Sequence, residues 1–295
     1  MLDKRIYGII AVESILANWN ADFSGEPRQL MDGTIYATDK ALKYSMRNFW
    51  DSIGEDLLIY KEFKLKKGEL IVKTLADKYA DKHGNPDKNN MLLKNLFSYL
   101  DVKQFGVAFA AKKSNVSITG AVQIGQGVDI LDGNILEQEI LSPFASQDGK
   151  AASTLGTKII QDHSLYLYPF SINPVCYKNW VDMGITEGYT EDDYIKFKQA
   201  ATKGATELNS CSKKGCSNAL SIFISVPEGV MFPTLINYID VVKGEGNRLN
   251  ISIRLKDIIE SYPNAEVEVY YNNFKDNLEI DVDCRLFNII TGGAI

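Results

Sequence analysis

The chain has 295 residues, 45% of them hydrophobic and 24% charged, with a net charge of −6. These are the proportions of a folded globular protein, and they exclude wholesale disorder, collagen and coiled coil. Two histidines (His83 and His163) exclude HExxH and multi-histidine metal sites, and four cysteines, with only Cys211 and Cys216 close together, make neither a four-ligand zinc site nor a disulfide framework.

Acidic residues concentrate at the end of the chain: residues 227–295 hold 11 acidic and 6 basic residues. Any cationic surface is therefore local. The start, MLDKRIYGIIAVESILANWN, has an apolar run that Glu13 and Asn18 interrupt, with no small-x-small cleavage site after it. No stretch of 18 apolar residues occurs. Together with the sparse cysteines, this sets the expectation of a cytoplasmic protein with no membrane partner.

Residues 5–17 are rich in Ile and Val and read as a central strand buried on both faces. Residues 18–37 hold Asn, Asp, Gly and Pro and read as a long loop, of a length that usually carries function. Thr38 is a good N-cap for a helix ending at Gly54. Leu42, Met46, Phe49 and Trp50 share one face of that helix, and Lys40, Lys43 and Arg47 share another. Residues 57–113 read as an insertion: a strand at LLIYKEFKL, a helix near ELIVKTLADKYADK, a polar break and a helix MLLKNLFSYL. A strand follows at 115–125 (NVSITGAVQIG). Residues 127–162 read as an extended loop or ribbon leaving the core, and 163–174 as the returning strand. A helix is expected over 190–210, capped by Thr190 with acidic residues in its first turn. A buried strand is expected over 218–226. The order strand, helix, strand, strand, helix, strand predicts an α+β fold with a ferredoxin-like, RRM-like core. We expect one elaborated domain over 1–295. Its core comprises about 5–52, 114–126 and 163–226, with insertions at 53–113 and 127–162. Short C-terminal strands over 227–295 pack on the core.

Five features carry candidate chemistry. The cations Lys40, Lys43 and Arg47, with Trp19, Asn20, Phe23 and Arg28 in the preceding loop, can neutralise phosphates and stack a base. Spacing alone favours a solvated helix face. Gly120–Gly127 (TGAVQIGQG) allows close backbone approach to a ligand. It matches neither a Walker A loop nor GxGxxG, and the pattern favours a bulged strand end. Asp22, Glu26, Asp32 and Asp39 are candidates for Mg²⁺ binding or acid–base work, and also for solvated loop caps. His163 is a phosphate donor, a stacking ring or a structural histidine. Cys211 and Cys216, beside Lys213 and Lys214, read as a loop with two incidental thiols.

Several of these stretches recur in one order: ILANWNADFSGEPR, DGTIYATDKALKYSMRNFW, LDVKQFGVAFA, NVSITGAVQIGQG, LSPF, STLGTK and HSLYLYPFSINP. In that order they resemble the backbone subunit of type I CRISPR Cascade complexes, the Cas-seven group of the RAMP superfamily in its I-B-like branch. The resemblance covers about residues 5–226. It implies an RRM-like palm with finger-like (53–113) and thumb-like (127–162) insertions, and a protein that polymerises head to tail along a CRISPR RNA. The guide would then be presented for pairing with target DNA, with the protein reading backbone and shape. The implied partners are the CRISPR RNA, target DNA through the guide, copies of the chain itself and other Cascade subunits. No cofactor, metal or catalytic residue is implied. The RNA-binding set expected is Trp19, Asn20, Arg28, Thr38, Lys40, Lys43, Arg47, Thr119, Gly120, Gln123, Lys158 and His163. The thumb region is more acidic than basic, so it is expected to grip by shape, with Leu141 or Phe144 as an apolar wedge. Two other readings stay open. One is a type III-like backbone subunit that cleaves target RNA with a metal bound by the Asp22/Asp32 loop. The other is a metabolic enzyme of ferredoxin-like fold.

Overall fold

The computed structural model describes residues 1–84, 90–111, 114–141 and 155–295. Strand β1 (Lys4–Ala17) is followed by the short β2 (Tyr36–Ala37) and helix α1 (Asp39–Ser52). Next come the hairpin β3 (Phe63–Lys66) and β4 (Glu69–Val72) and three helices, α2 (Leu75–His83), α3 (Asn90–Leu96) and α4 (Leu100–Phe105). Strands β5 (Gly106–Ala111) and β6 (Ser114–Thr119) pair only with each other. Then follow β7 (Val122–Ile124), β8 (Gly127–Asp129), β9 (Ile135–Leu141) and the long β10 (Leu155–Ile172). Helices α5 (Lys178–Asp182) and α6 (Glu191–Glu207) lead to β11 (Cys216–Pro227). The last part holds β12 (Ile239–Lys243), β13 (Leu249–Ile253), α7 (Lys256–Ile259), β14 (Glu266–Tyr271), β15 (Asn277–Ile280) and β16 (Arg285–Asn288). No helix of the described residues is long and apolar enough to cross a membrane.

The main sheet runs β16-β14-β11-β1-β10-β8-β2, with β7 and β9 also paired to β10. At its centre β11, β1, β10 and β7 lie side by side, each antiparallel to its neighbour. Counting only these four, the spatial order is fourth, first, third, second. Two interlocked βαβ units produce that order, with α1 and α6 as their helices. Both helices cover one face. Ile6, Ile10 and Val12 of β1 meet Leu42, Met46 and Trp50 of α1 and Phe197, Ala201 and Ala205 of α6 there. Alternate residues of β1, Ile9 and Ala11, face the other way. They pack with Leu165, Leu167 and Ile222 against Ile239, Leu249, Ile251 and Ile253 from the C-terminal segment. The double burial of β1 explains its continuous apolar stretch from Ile9 to Val12. Gly8 sits where a Cβ would lie 2.5 Å from the Phe170 ring and 2.0 Å from the Ile222 carbonyl oxygen. Only glycine lets that ring cross the strand.

The insertion differs from its expected elements. Only the end of LLIYKEFKL forms a strand, and it pairs with the start of the expected helix as the β3–β4 hairpin. Lys67 and Gly68 both take positive φ, 53° and 85°, as a two-residue type I′ turn requires. The helix begins only after Thr74, which makes a reciprocal capping box with Asp77. The expected strand 115–125 is split at Gly120, so β6 leaves the main sheet and β7 joins it.

Candidate nucleic-acid interface

One residue before the end of strand β1, Leu16 takes a left-handed φ of 48° and is exposed. Beyond it the chain doubles back rather than running free. Asn18 N–H donates to the Ser212 carbonyl at 3.0 Å. Asn18 Nδ2 donates to the carbonyls of Gly25 (3.0 Å) and Ile159 (3.2 Å). Asn20 Oδ1 accepts from both N–H (2.8 Å) and hydroxyl (2.9 Å) of Thr38, and the Thr38 hydroxyl oxygen in turn accepts from Ala41 N–H. Asn20 and Thr38 therefore tie the loop to the first turn of α1. Arg28 N–H donates to the Asn20 carbonyl at 3.3 Å. The loop tips leave Phe23 and Met31 fully exposed.

Trp19 is 1% exposed and belongs to the core, its Nε1–H bonded to Tyr168 Oη at 2.7 Å. It offers no ring to a ligand, which corrects the expectation of stacking there. Phe23 is the aromatic of this loop that faces solvent.

The basic face of α1 divides in the same way. Lys43 pairs with Asp39 at 2.9 Å, one turn earlier. Arg47 Nε lies 2.9 Å from Asp101 Oδ2, and that carboxylate is wholly buried. Asp101 also accepts the N–H groups of Leu58 (2.9 Å) and Ile59 (2.8 Å). Both cations lie over the Phe105 ring. Arg47 is thus a structural ion pair and not a free phosphate contact. Lys40 is exposed and makes no ion pair among the described residues.

Arg28, Lys158 and Lys213 likewise lack a carboxylate partner among the described residues, and each is linked to the same short segment. Arg28 bonds Asn20 through its backbone. Lys158 adjoins Ile159, whose carbonyl holds Asn18. Lys213 Nζ donates to the Asn18 carbonyl at 2.7 Å. Burial lowers the Lys213 ammonium below the usual lysine range. Of these, Lys213 alone reaches the segment with its charged group; Arg28 and Lys158 lie on stretches that the segment's hydrogen bonds join to it. Sequence reasoning missed Lys213 as a site residue. Its sole signal was the Lys213-Lys214 pair, 195 positions from the residue it contacts.

Strand β9 is exposed at every residue and pairs with the first part of β10, Gln138 opposite Lys158 and Ile135 opposite Gln161. The two strands form a ribbon off the sheet. Leu141, at the end of β9, is 74% exposed. Phe144 lies outside the described residues.

The remaining candidates sit elsewhere. His163 is buried, with Nε2 at 2.8 Å from Glu13 Oε1, and Lys275 Nζ bonds both oxygens of that carboxylate at 2.7 Å. It ties β10 to β1 internally and cannot reach a ligand, which corrects its assignment. Burial pushes the Glu13 carboxyl up, yet the His163 and Lys275 hydrogen bonds outweigh this and hold it below the ordinary value. Gly120 is buried where a Cβ would stand 2.2 Å from the Phe105 carbonyl carbon, so its role is packing. Thr119 and Gln123 are exposed nearby, and Gln123 Nε2 donates to the Gly120 carbonyl at 2.9 Å. Gln126 Nε2, at 3.4 Å from Asp39 Oδ1, brings this edge against the start of α1. Asp22 and Asp32 each hold a turn. Asp22 Oδ1 accepts from Ser24 N–H and hydroxyl, and Asp32 Oδ1 accepts from Thr34 N–H. These bonds lower both carboxyls. Among the described residues no three His, Cys, Asp or Glu side chains come together.

The family model described as CRISPR-associated protein Cas7 matches residues 4–262. Among solved structures the chain is similar to one described as a CRISPR RNA-guided surveillance complex, pre-nicking. The TM-score is 0.56 and the identity 13%, over 94% of this chain and 96% of that one. A second, described as a CRISPR RNA-guided surveillance complex, gives a TM-score of 0.49 and 12% identity over 92% and 94% of the two chains. The likeness to the first is one of fold. No curated protein matches the chain.

Proposed function

Because the chain belongs to the CRISPR-associated Cas7 family, we propose that it is a non-catalytic backbone subunit of a type I CRISPR Cascade complex. In this reading it binds the CRISPR RNA along its sugar-phosphate chain and polymerises head to tail on it beside other Cascade subunits. The guide bases stay free to pair with target DNA. One observation carries the reading: Lys213 Nζ bonds the Asn18 carbonyl, and Arg28, Lys40 and Lys158 belong to stretches joined to Asn18–Asn20 by hydrogen bonds, none of the four neutralised by a carboxylate among the described residues, in a chain whose net charge is negative. A narrow cationic track on an acidic protein suits one strand of phosphates and repels nucleic acid elsewhere. The β9–β10 ribbon beside it presents a strand, β9, that is exposed at every residue.

The test is a binding titration of single-stranded RNA at several salt concentrations. Each phosphate contact on a single strand contributes about 0.7 to the slope of log affinity against log salt. Arg28→Glu and Lys40→Glu are expected to weaken binding on every sequence alike and to flatten that slope by about 0.7 for each cation. A wild-type chain that binds no RNA, or variants with an unchanged slope, would overturn the assignment.

A further inference from the structure

The helix-free face of the sheet is covered by the C-terminal segment except at one end. There Tyr7 of β1 lies opposite Ser171 of β10, and Ser171 lies opposite Gln123 of β7. Residues opposite one another across neighbouring strands share a face. Phe232, Pro233 and Thr234 stand beside this row, and between the two is an open cavity of about 360 Å³. That volume is at the low end of small-molecule pockets, about 300–1,000 Å³.

We propose that this cavity takes a single base of a bound RNA strand; the inference rests on the RNA-binding reading above and adds a site to it. A base needs two apolar faces and a polar edge. Tyr7, Pro169 and Phe232 supply the apolar surface, with the Tyr7 and Phe232 rings 5.9 Å apart at 33°. The Gln123 carboxamide and the Ser171 and Thr234 hydroxyls supply donors and acceptors at the rim. The amide is already fixed by its bond to the Gly120 carbonyl. No carboxylate lines the cavity. The Arg5 guanidinium lies 5.6 Å from the Tyr7 ring centroid, its Nε is buried without a hydrogen-bond partner, and it makes no ion pair among the described residues. It is a counter-charge for the phosphate next to a base held on Tyr7. An apolar side chain from a second copy would use the walls and leave the polar rim and Arg5 unanswered, so the base is the better occupant.

Two measurements on the full chain test this. The wild-type protein is photocrosslinked to oligouridylate carrying 4-thiouridine, and the adducts are mapped by mass spectrometry; they are expected on the peptides holding Tyr7 or Phe232. Affinities are then compared for oligouridylate and for an abasic phosphodiester of equal length. Ser171→Trp, which fills the cavity, and Gln123→Ala are expected to lose about tenfold on oligouridylate, within the range of base–aromatic contacts, and nothing on the abasic chain. Lys40→Glu should weaken both ligands, which separates this site from the phosphate track. Equal affinity of the cavity variants and the wild type for oligouridylate, or equal losses on both ligands, would refute the base site while leaving the phosphate track intact. So would loss of self-association in Ser171→Trp at unchanged RNA affinity. A wild-type chain that binds neither ligand refutes the RNA reading and this inference with it. The Gln123→Ala and crosslinking results stand even where Ser171→Trp does not fold.

Discussion

Arg47→Ala is expected to make the chain less stable without changing the RNA affinity of the folded fraction. By helix spacing Arg47 belongs with Lys40 and Lys43 as a phosphate contact. In the fold its side chain is 12% exposed, and its Nε sits 2.9 Å from the carboxylate of a side chain with no exposure at all. Removing it leaves Asp101 buried, with the N–H groups of Leu58 and Ile59 and no cation. Breaking a buried ion pair from one side costs about 3–5 kcal/mol. The two retained backbone bonds place Arg47→Ala near the lower figure, about 3 kcal/mol. A chain of this size loses roughly 2 °C of Tm per kcal/mol, so a fall of about 6 °C is expected. Removing both charges, as Arg47→Met with Asp101→Asn, should recover part of the loss, because no charge is then buried alone. Calorimetry measures the first effect. Titration with RNA well below both transitions measures the second. An Arg47→Ala protein that melts like the wild type and has lost RNA affinity would refute the structural assignment.

Replacing residues 139–157 by Asn-Gly keeps Gln138 opposite Lys158 and closes the ribbon with a two-residue turn. The product is expected to be a folded monomer that binds short RNA and no longer assembles on long RNA; size-exclusion chromatography with long RNA showing normal assemblies would contradict this. Glu13 is held below its ordinary value of 4.5, so its contribution to stability is present above that pH and is lost as pH falls through the lower folded value. Glu13→Gln should therefore cost about 1–3 kcal/mol at pH 7 by removing the negative charge and one of the two acceptor oxygens that face Lys275 and His163, and should flatten the acid limb of the stability curve below pH 4.5; parallel acid limbs would show the reasoning to be wrong. With Mg²⁺ and a guide-complementary RNA, no cleavage is expected from the wild type, Asp22→Ala or Asp32→Ala. Cutting by the wild type that either substitution abolishes would restore the type III-like reading.

The parts of the fold legible in the sequence are those whose signals are local. Thr38 and Thr190 cap α1 and α6 where hydroxyl spacing places them. The stretches of β1 and β11 rich in Ile, Val, Leu and Phe mark strands buried on both faces. The β9–β10 ribbon left only a weak trace, because exposed strands are held by backbone pairing and leave no apolar period. The β3–β4 turn was hidden by Lys67, a residue with no turn preference that takes positive φ beside Gly68. In the site, Lys43 has its acid four residues away on the same helix, a pairing the sequence displays. The acid of Arg47 is 54 positions away, and nothing in the sequence joins them. Trp19 and Phe23 are equivalent as letters, and only the position of Tyr168 decides which ring goes inside.

Strand β10 runs 18 residues without interruption, yet its two ends live in different surroundings. From Gln161 onward it is paired with β1, and before that, among the described residues, with β9 and through Ile159 with Asn18. Mechanically it is a cantilever clamped at one end. The part before Gln161, six residues at about 3.3 Å each, projects roughly 20 Å, so a tilt of about 10° at the clamp swings the tip by about 3.5 Å. The clamp lies where Glu13 holds His163 and Asn18 holds Ile159. Asn18 is also the residue whose carbonyl receives Lys213. A strand of phosphates drawing Lys213 toward itself would pull on the root of the lever, and the displacement would be read out, amplified, at the far end.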